Sequence, residues 1–351
     1  MNRDDVVPYL RDRLPDFAPT DLPVRLPEGN LNRVWRVPGR DRSVIVKHAP
    51  PYVATDPDIP LDPSRLHVEA QCLQTLGPEG KLRDVPGPDV RPPRALDVNP
   101  EAHVLVMEDI GKVPTLGRWL REAREKAVTD RALRIGHALG AFIGRLHRRT
   151  VDDAGFAEPF NNRPVQETRH AVQYQAVGDL LARGGISDAE ALGARAEALG
   201  TRLLQPGRCL TMGDLWPPSV LVTADGVRLI DWEFAHYGQP MQDVAHFAAH
   251  LWMQAHRAPS ETVATAATRI RQAFLAAYRN VLVAEAPDLL DPVDASIHFG
   301  AEILVRTVGR FQEGYLYDGL SPDETAVQEA VRSAARHIRE PRGALRMWSP
   351  E

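Results

Sequence analysis

Asp214, Ser219, Asp231 and Glu233 are the residues of this 351-residue chain whose types and spacing are best suited to chemistry. They stand in Met212-Gly213-Asp214-Leu215-Trp216-Pro217-Pro218-Ser219 and in Leu229-Ile230-Asp231-Trp232-Glu233. A carboxylate in a glycine-led turn can orient or deprotonate a hydroxyl, and carboxylate and hydroxyl oxygens bind hard divalent cations. In an extended segment alternate side chains face the same way, so Asp231 and Glu233 can converge on one metal pair. Transfer of a phosphoryl group to a hydroxyl asks for such a set, because it needs charge and positioning more than covalent help. A surface hairpin with acidic turns is the plainer alternative. Three acids in this order beside Trp216, Trp232 and two prolines make a poor one.

The elements that must position these groups are legible in outline. Val34–Val37 and Ser43–Lys47 read as strands joined by a Pro38-Gly39-Arg40-Asp41 turn, and His103–Met107 as another. Lys47 ends its strand, and Glu69, on a helix expected from Asp62-Pro63 to Leu76, is the candidate that orients it. Glu28-Gly29-Asn30-Leu31-Asn32 could cover phosphates with backbone amides, with Gly29, Asn30 and Asn32 as contacts; alone it reads as a turn. Glu108-Asp109-Ile110-Gly111 suits a hinge whose backbone hydrogen-bonds a purine, or an ordinary strand-to-helix turn. Beyond it, helical periodicity runs through Leu133–Leu146, Leu181–Leu204, Val263–Val283 and Ile297–Phe311. The strands expected there are Arg208–Thr211, Val220–Val222 and Val227–Ile230. The class predicted is α+β and bilobal, with a small β-rich lobe over 1–110 and a large helical lobe over 111–351. His137 and His147 are expected in packing or capping, and Asp243 in capping its helix or bracing the Asp214 loop.

The net charge of −5 and pI near 6.2 speak against binding nucleic acid by phosphate neutralisation. Cys72 and Cys209 are far apart and have no metal-type spacing. The charged N-terminus is followed by no apolar secretory stretch, and no apolar run is long enough to span a bilayer, so a cytoplasmic place is expected. A homodimer would leave no readable mark.

Together these motifs resemble the aminoglycoside phosphotransferase/choline kinase superfamily, and within it the 5-methylthioribose kinases most closely. The resemblance rests on the Glu28–Asn32 and Val46–Val53 runs, Met107-Glu108-Asp109, and Asp231-x-Glu233-Phe234-Ala235-x-Tyr237-Gly238, over roughly residues 25 to 315. It implies a protein-kinase-like fold and use of ATP with Mg²⁺. Asp214 would serve the acceptor hydroxyl, Asp231 would bind Mg²⁺, and Ser219 and Glu233 would complete the metal shell. Lys47, oriented by Glu69, would hold phosphates, and the backbone around Glu108 to Ile110 would read adenine. Arg306 and Trp232 are the residues expected at the acceptor. Three departures stand out: Met212 replaces the usual His, Asp58–Leu61 lacks an expected Trp, and Arg306 stands without the Arg that usually precedes it. The expected activity is ATP-dependent phosphorylation of a hydroxyl on a small sugar-containing molecule, leaning toward an antibiotic of aminoglycoside or nucleoside type or another specialised metabolite. A methylthioribose-type pentose is the alternative acceptor, and a nucleotide-binding protein without turnover the alternative class.

Overall fold

The computed structural model describes residues 1–26, 31–122 and 127–343, and the chain divides into two compact units. The first comprises residues 1–113 together with 228–235; the second comprises 114–227 and 236–351.

In the first unit the elements are α1 (Arg3–Arg13), β1 (Val24–Arg25), β2 (Arg33–Val37), β3 (Val44–His48), β4 (Tyr52–Val53), β5 (Asp56–Pro60), α2 (Arg65–Thr75), β6 (Val90–Arg91), β7 (Ala95–Asn99) and β8 (Val104–Glu108). Five strands form an antiparallel sheet in the order β1-β2-β3-β8-β7. Strand alternation gives this sheet two buried faces. Val44 and Val46 of β3, with Val104 and Val106 of β8, join Trp35, Val37, and Val6 and Leu10 of α1 in one cluster. Each such side chain taken from water contributes about 1.5–3 kcal/mol. Lys47 falls on the opposite face, between the β2 and β8 partners Val34 and Leu105. The helix α1 is not among the elements expected for the β-rich lobe. Its two buried positions, Val6 and Leu10, are one turn apart and too few for a periodicity signal.

In the second unit the chain forms α3 (Leu116–Arg121), α4 (Ala127–Thr150), α5 (Ala154–Ala157), α6 (Arg163–Arg169), a π-helical turn at His170–Gln175, α7 (Val177–Arg183), α8 (Ala189–Leu203), β9 (Cys209–Thr211) and β10 (Val220–Thr223). After β11 (Gly226–Leu229) come β12 (His236–Gly238), α9 (Met241–His256), α10 (Glu261–Leu282), α11 (Pro292–Thr307) and α12 (Thr325–Arg339). β12 pairs antiparallel with β9, bracketing the segment that carries Asp214. The helix expected over Leu181–Leu204 is two helices, because Gly184-Gly185 breaks it, with Gly185 at φ 77°. The one expected over Ile297–Phe311 ends at Thr307. α4 and α10 lie close along their length: a Cβ at Gly140 would overlap the carbonyl of Phe274, so that approach needs glycine. Among the described residues no helix is long and apolar enough to cross a membrane.

Candidate active site

In the first unit, Lys47 is the centre of a buried charge cluster. Its Nζ donates to Glu69 Oε2 at 2.6 Å and to Asp231 Oδ1 at 2.8 Å, and Glu233 Oε1 lies 3.9 Å away. Strand alternation turns Lys47 toward the sheet face where the buried positions of α2, Leu66, Glu69, Ala70 and Leu73, also lie. Burial alone would strip Lys47 of its proton, but three carboxylates outweigh it and hold the ammonium charged. Burial pushes Glu69 upward to about 7, against the pull of Lys47. Asp231 is held at φ 64°, in the left-handed region that a residue with a Cβ enters at a cost of about 1–2 kcal/mol. Its side chain stays 48% exposed, and so it is open to a cation.

Glu233 and Asn32 sit differently from what their spacing promised. Both Glu233 oxygens accept from Asn32 Nδ2 at 3.0 Å, and Oε2 also accepts from Arg65 Nε at 2.9 Å. Arg65 Nη2 donates to Asn32 Oδ1 at 2.9 Å, closing a buried triad. The strand alternation assumed for Asp231 and Glu233 is absent because residues 232–234 form a 3₁₀ turn. Arg65 went unnoticed in the sequence, where nothing distinguishes it from other helix arginines. Trp232 is a correction: it is fully buried and its indole N–H donates to the Leu229 carbonyl, so it has no surface for an acceptor. At the hinge, Arg91 grips Glu108 through two bonds of 2.6 and 2.7 Å, while Arg36, Ser43 and the Gly111 amide bind Asp109. The Glu108 amide donates to the Arg94 carbonyl. That leaves the backbone groups of Asp109 and Ile110 without a hydrogen bond there, among the described residues. Gly29 and Asn30 lie outside the described residues.

In the second unit, the Asp214 loop is braced from behind. Asp243, fully buried at the start of α9, accepts from the amides of Met212 and Gly213 at 2.8 Å each. Its Oδ2 also lies 3.0 Å from His147 Nε2, and His147 Nδ1 shares a hydrogen bond with Tyr278 Oη at 2.9 Å. Asp243 therefore braces the loop, and it does so through backbone, which any residue at 212 supplies. Gly213 takes φ 80°, the left-handed step that turns the chain toward Asp214. Ser219 is buried with its hydroxyl spent inside the loop: Oγ accepts from the Trp216 amide at 3.2 Å and donates to the Trp216 carbonyl at 2.9 Å. Its expected place as a metal ligand would require those bonds to be given up.

Around Asp214 the second unit gathers cations and rings. Arg169 Nη2 lies 3.1 Å and His246 Nε2 3.3 Å from Asp214 Oδ1; the second approach is close enough for charge but not aligned as a hydrogen bond. Burial raises the Asp214 carboxyl, yet His246, Arg169 and Arg306 outweigh it and bring it down to about 2. Arg306 bonds Glu302 through Nε at 2.9 Å, and its guanidinium lies 4.6, 5.2 and 5.5 Å from the ring centres of Trp216, Phe311 and Tyr315. Of the two residues expected at the acceptor, Arg306 belongs to this group and Trp232 does not. Trp216, which the sequence placed only as a neighbour of the loop, is half-buried there.

A profile of the phosphotransferase enzyme family matches residues 24–289, three quarters of the chain. The chain belongs to that family. Among its relatives, the 4-hydroxytryptamine kinase of Psilocybe cyanescens is 30% identical over 284 residues, 76% of each chain. A methylthioribose kinase of Exiguobacterium sibiricum is 26% identical over 255 residues, 65% of this chain and 60% of that one. In fold the chain is similar to a choline kinase from Streptococcus pneumoniae, with TM-score 0.52 at 16% identity over 95% of this chain and 98% of that one. It is likewise similar to a spectinomycin phosphotransferase bound to ADP and spectinomycin, with TM-score 0.52 at 11% identity over 97% of this chain and 99% of that one.

Proposed function

We propose that the protein transfers the γ-phosphate of ATP to a hydroxyl of a small ring-bearing molecule, working in the cytoplasm with Mg²⁺. The observation that carries the reading is the Lys47 ammonium bridging Glu69 and Asp231, in a member of a phosphotransferase family. The residues fit the nucleotide and its metal in part. An ammonium has three donors, of which two are engaged, which leaves one for a phosphate oxygen. Asp231 offers a half-exposed carboxylate to Mg²⁺, while Glu233 and Ser219 are committed elsewhere. Mg²⁺ would supply charge neutralisation on the phosphates. Lys47 binds and orients phosphate; Glu69 holds Lys47; Asp243 fixes the loop; Asp214, kept ionised, accepts the hydroxyl hydrogen and aims the oxygen.

The surroundings of Asp214 favour one kind of acceptor. Its two carboxylates, Asp214 and Glu302, are each already matched by cations, Arg169 and Arg306 among them. A polycationic aminoglycoside would meet the positive charge of Arg169 and Arg306 beside these groups. A flat neutral or anion-bearing ring would find Trp216, Tyr315 and Phe311. We therefore favour an aryl alcohol or a nucleoside-type compound, and the 4-hydroxytryptamine kinases among the relatives lend support. The test is an ATP-consumption screen across hydroxyindoles, nucleosides, methylthioribose, choline and aminoglycosides. The expected outcome is turnover of a ring-bearing acceptor that Asp214→Asn abolishes. ATP binding without turnover of any acceptor, or full activity in Asp214→Asn, would count against the reading.

A further inference from the structure

Behind Asp214, three imidazoles and one carboxylate meet in the interior of the second unit. His246 and His250 stand four apart on α9 and so share a face; Glu302 and His298 stand four apart on α11. All four are buried, His246 at 1% exposure and Glu302 at 2%. The ring centres of His246 lie 4.9 Å from His250 and 5.7 Å from His298. His246 Nδ1 and His250 Nε2 lie 3.5 and 3.0 Å from the Glu302 oxygens, neither aligned as a hydrogen bond. Both nitrogens of His246, with Nε2 of His250 and of His298, thus lack an aligned hydrogen-bond partner. Buried polar groups are ordinarily satisfied, so several such atoms in one place point to something that satisfies them together.

We infer that His246, His250 and Glu302 form a binding site for a late first-row divalent cation of the Zn²⁺ class, separate from the Mg²⁺ that accompanies the nucleotide. Two imidazoles and a carboxylate form a donor set that takes Zn²⁺ and leaves a further position open. Imidazole nitrogen selects against Mg²⁺, which prefers oxygen. One donor atom from each residue lies within 4.8 Å of the others, so bonds of about 2.0–2.1 Å need only a modest contraction of side chains. The outer contacts of such a site are also in place. Tyr315 Oη shares a hydrogen bond with His250 Nδ1 at 2.8 Å, which fixes the ring and leaves Nε2 for metal. Gln173 Nε2 donates to Glu302 Oε2 and Arg306 Nε to Oε1, each at 2.9 Å, which leaves each oxygen a second lone pair for the ion. Water would complete the shell, while His246 Nε2, on the other side of its ring, stays against Asp214 Oδ1 at 3.3 Å.

The test uses the full chain, stripped with a chelator and titrated with Zn²⁺ by calorimetry and with Co²⁺ by visible absorption. One tight equivalent per chain is expected, with the d–d bands of a low-coordinate Co²⁺ site and a rise in melting temperature. His250→Ala and Glu302→Gln are each expected to abolish that equivalent, with helical circular dichroism reporting whether they fold. Tyr315→Phe removes an outer partner at a half-buried position that tolerates the change, and is expected to weaken binding ~10–100-fold. Failure of the parent to bind Zn²⁺ overturns the inference. So does unaltered affinity in Tyr315→Phe together with the ligand variants, which would place the ion elsewhere, for instance at the stacked His67–His103 pair.

Discussion

Replacing Asp243 by Ala tests whether one buried carboxylate holds the Asp214 loop in place. Asp243 is 0% exposed and receives the Met212 and Gly213 amides at 2.8 Å and the His147 ring nitrogen at 3.0 Å. Alanine removes the acceptor from all three. An unsatisfied buried donor costs about 1–3 kcal/mol, and bonds to a charged acceptor lie toward the upper end. Relief from burying the carboxylate offsets part of the sum, so the net loss expected is about 3–6 kcal/mol. For a unit of this size that lowers the melting temperature by roughly 10 °C. Asp243→Asn sharpens the test. Its amide oxygen can still accept from one backbone amide, but its NH₂ then confronts the other donor, so about half the loss is expected. Urea or thermal unfolding of the two variants reads both numbers. An Ala variant within ~1 kcal/mol of the parent, or an Asn variant as damaged as Ala, refutes the bracing argument.

Four further outcomes are expected. Lys47→Met removes the cation from Glu69 and Asp231; it should end turnover and, by stranding buried Glu69, cost about 3–5 kcal/mol in unfolding experiments. Arg65→Met should destabilise the chain by a similar ~3–5 kcal/mol through Glu233, while Glu233→Gln should leave the Mg²⁺ dependence of activity unchanged; a raised Mg²⁺ requirement would return Glu233 to the metal. Asp214, about 2 in the folded chain against 3.8 unperturbed, contributes stability that is present above the unfolded value and is lost as pH falls through about 2. The shift corresponds to at most about 2 kcal/mol, since its side chain is 19% exposed, and Asp214→Asn should flatten the acid limb of a stability profile accordingly. Trp232→Phe should lower stability by about 1–3 kcal/mol through the lost Leu229 bond, with no change in acceptor KM.

The α+β class, the β2–β3 hairpin, the Lys47–Glu69 pairing and membership of the phosphotransferase family could all be read from local features of the chain. Strand alternation sets which face Lys47 occupies, and the helix that follows supplies Glu69. Glycine at 213 marks the turn before Asp214. The turn and strand signals lie within a few residues of one another, and the family motifs are short runs each legible by itself. Other assignments depended on partners far away in sequence. Glu233 was assigned to metal because it sits two residues from Asp231, but Asn32 and Arg65, 201 and 168 residues distant, claim its oxygens. Trp232 neighbours Asp231 in the chain, yet it is buried beside its own strand. The cations that hold Asp214 ionised, and the His246–His250–Glu302 cluster behind it, come from helices α6, α9 and α11. Their distances are set by side-chain packing between helices, which no spacing along the chain encodes. The sequence by itself determined which chemical groups the protein has and the local turns that present them. Tertiary structure decided which of those groups are free to react, because a carboxylate or hydroxyl is available only if no neighbour in the fold has already bonded it.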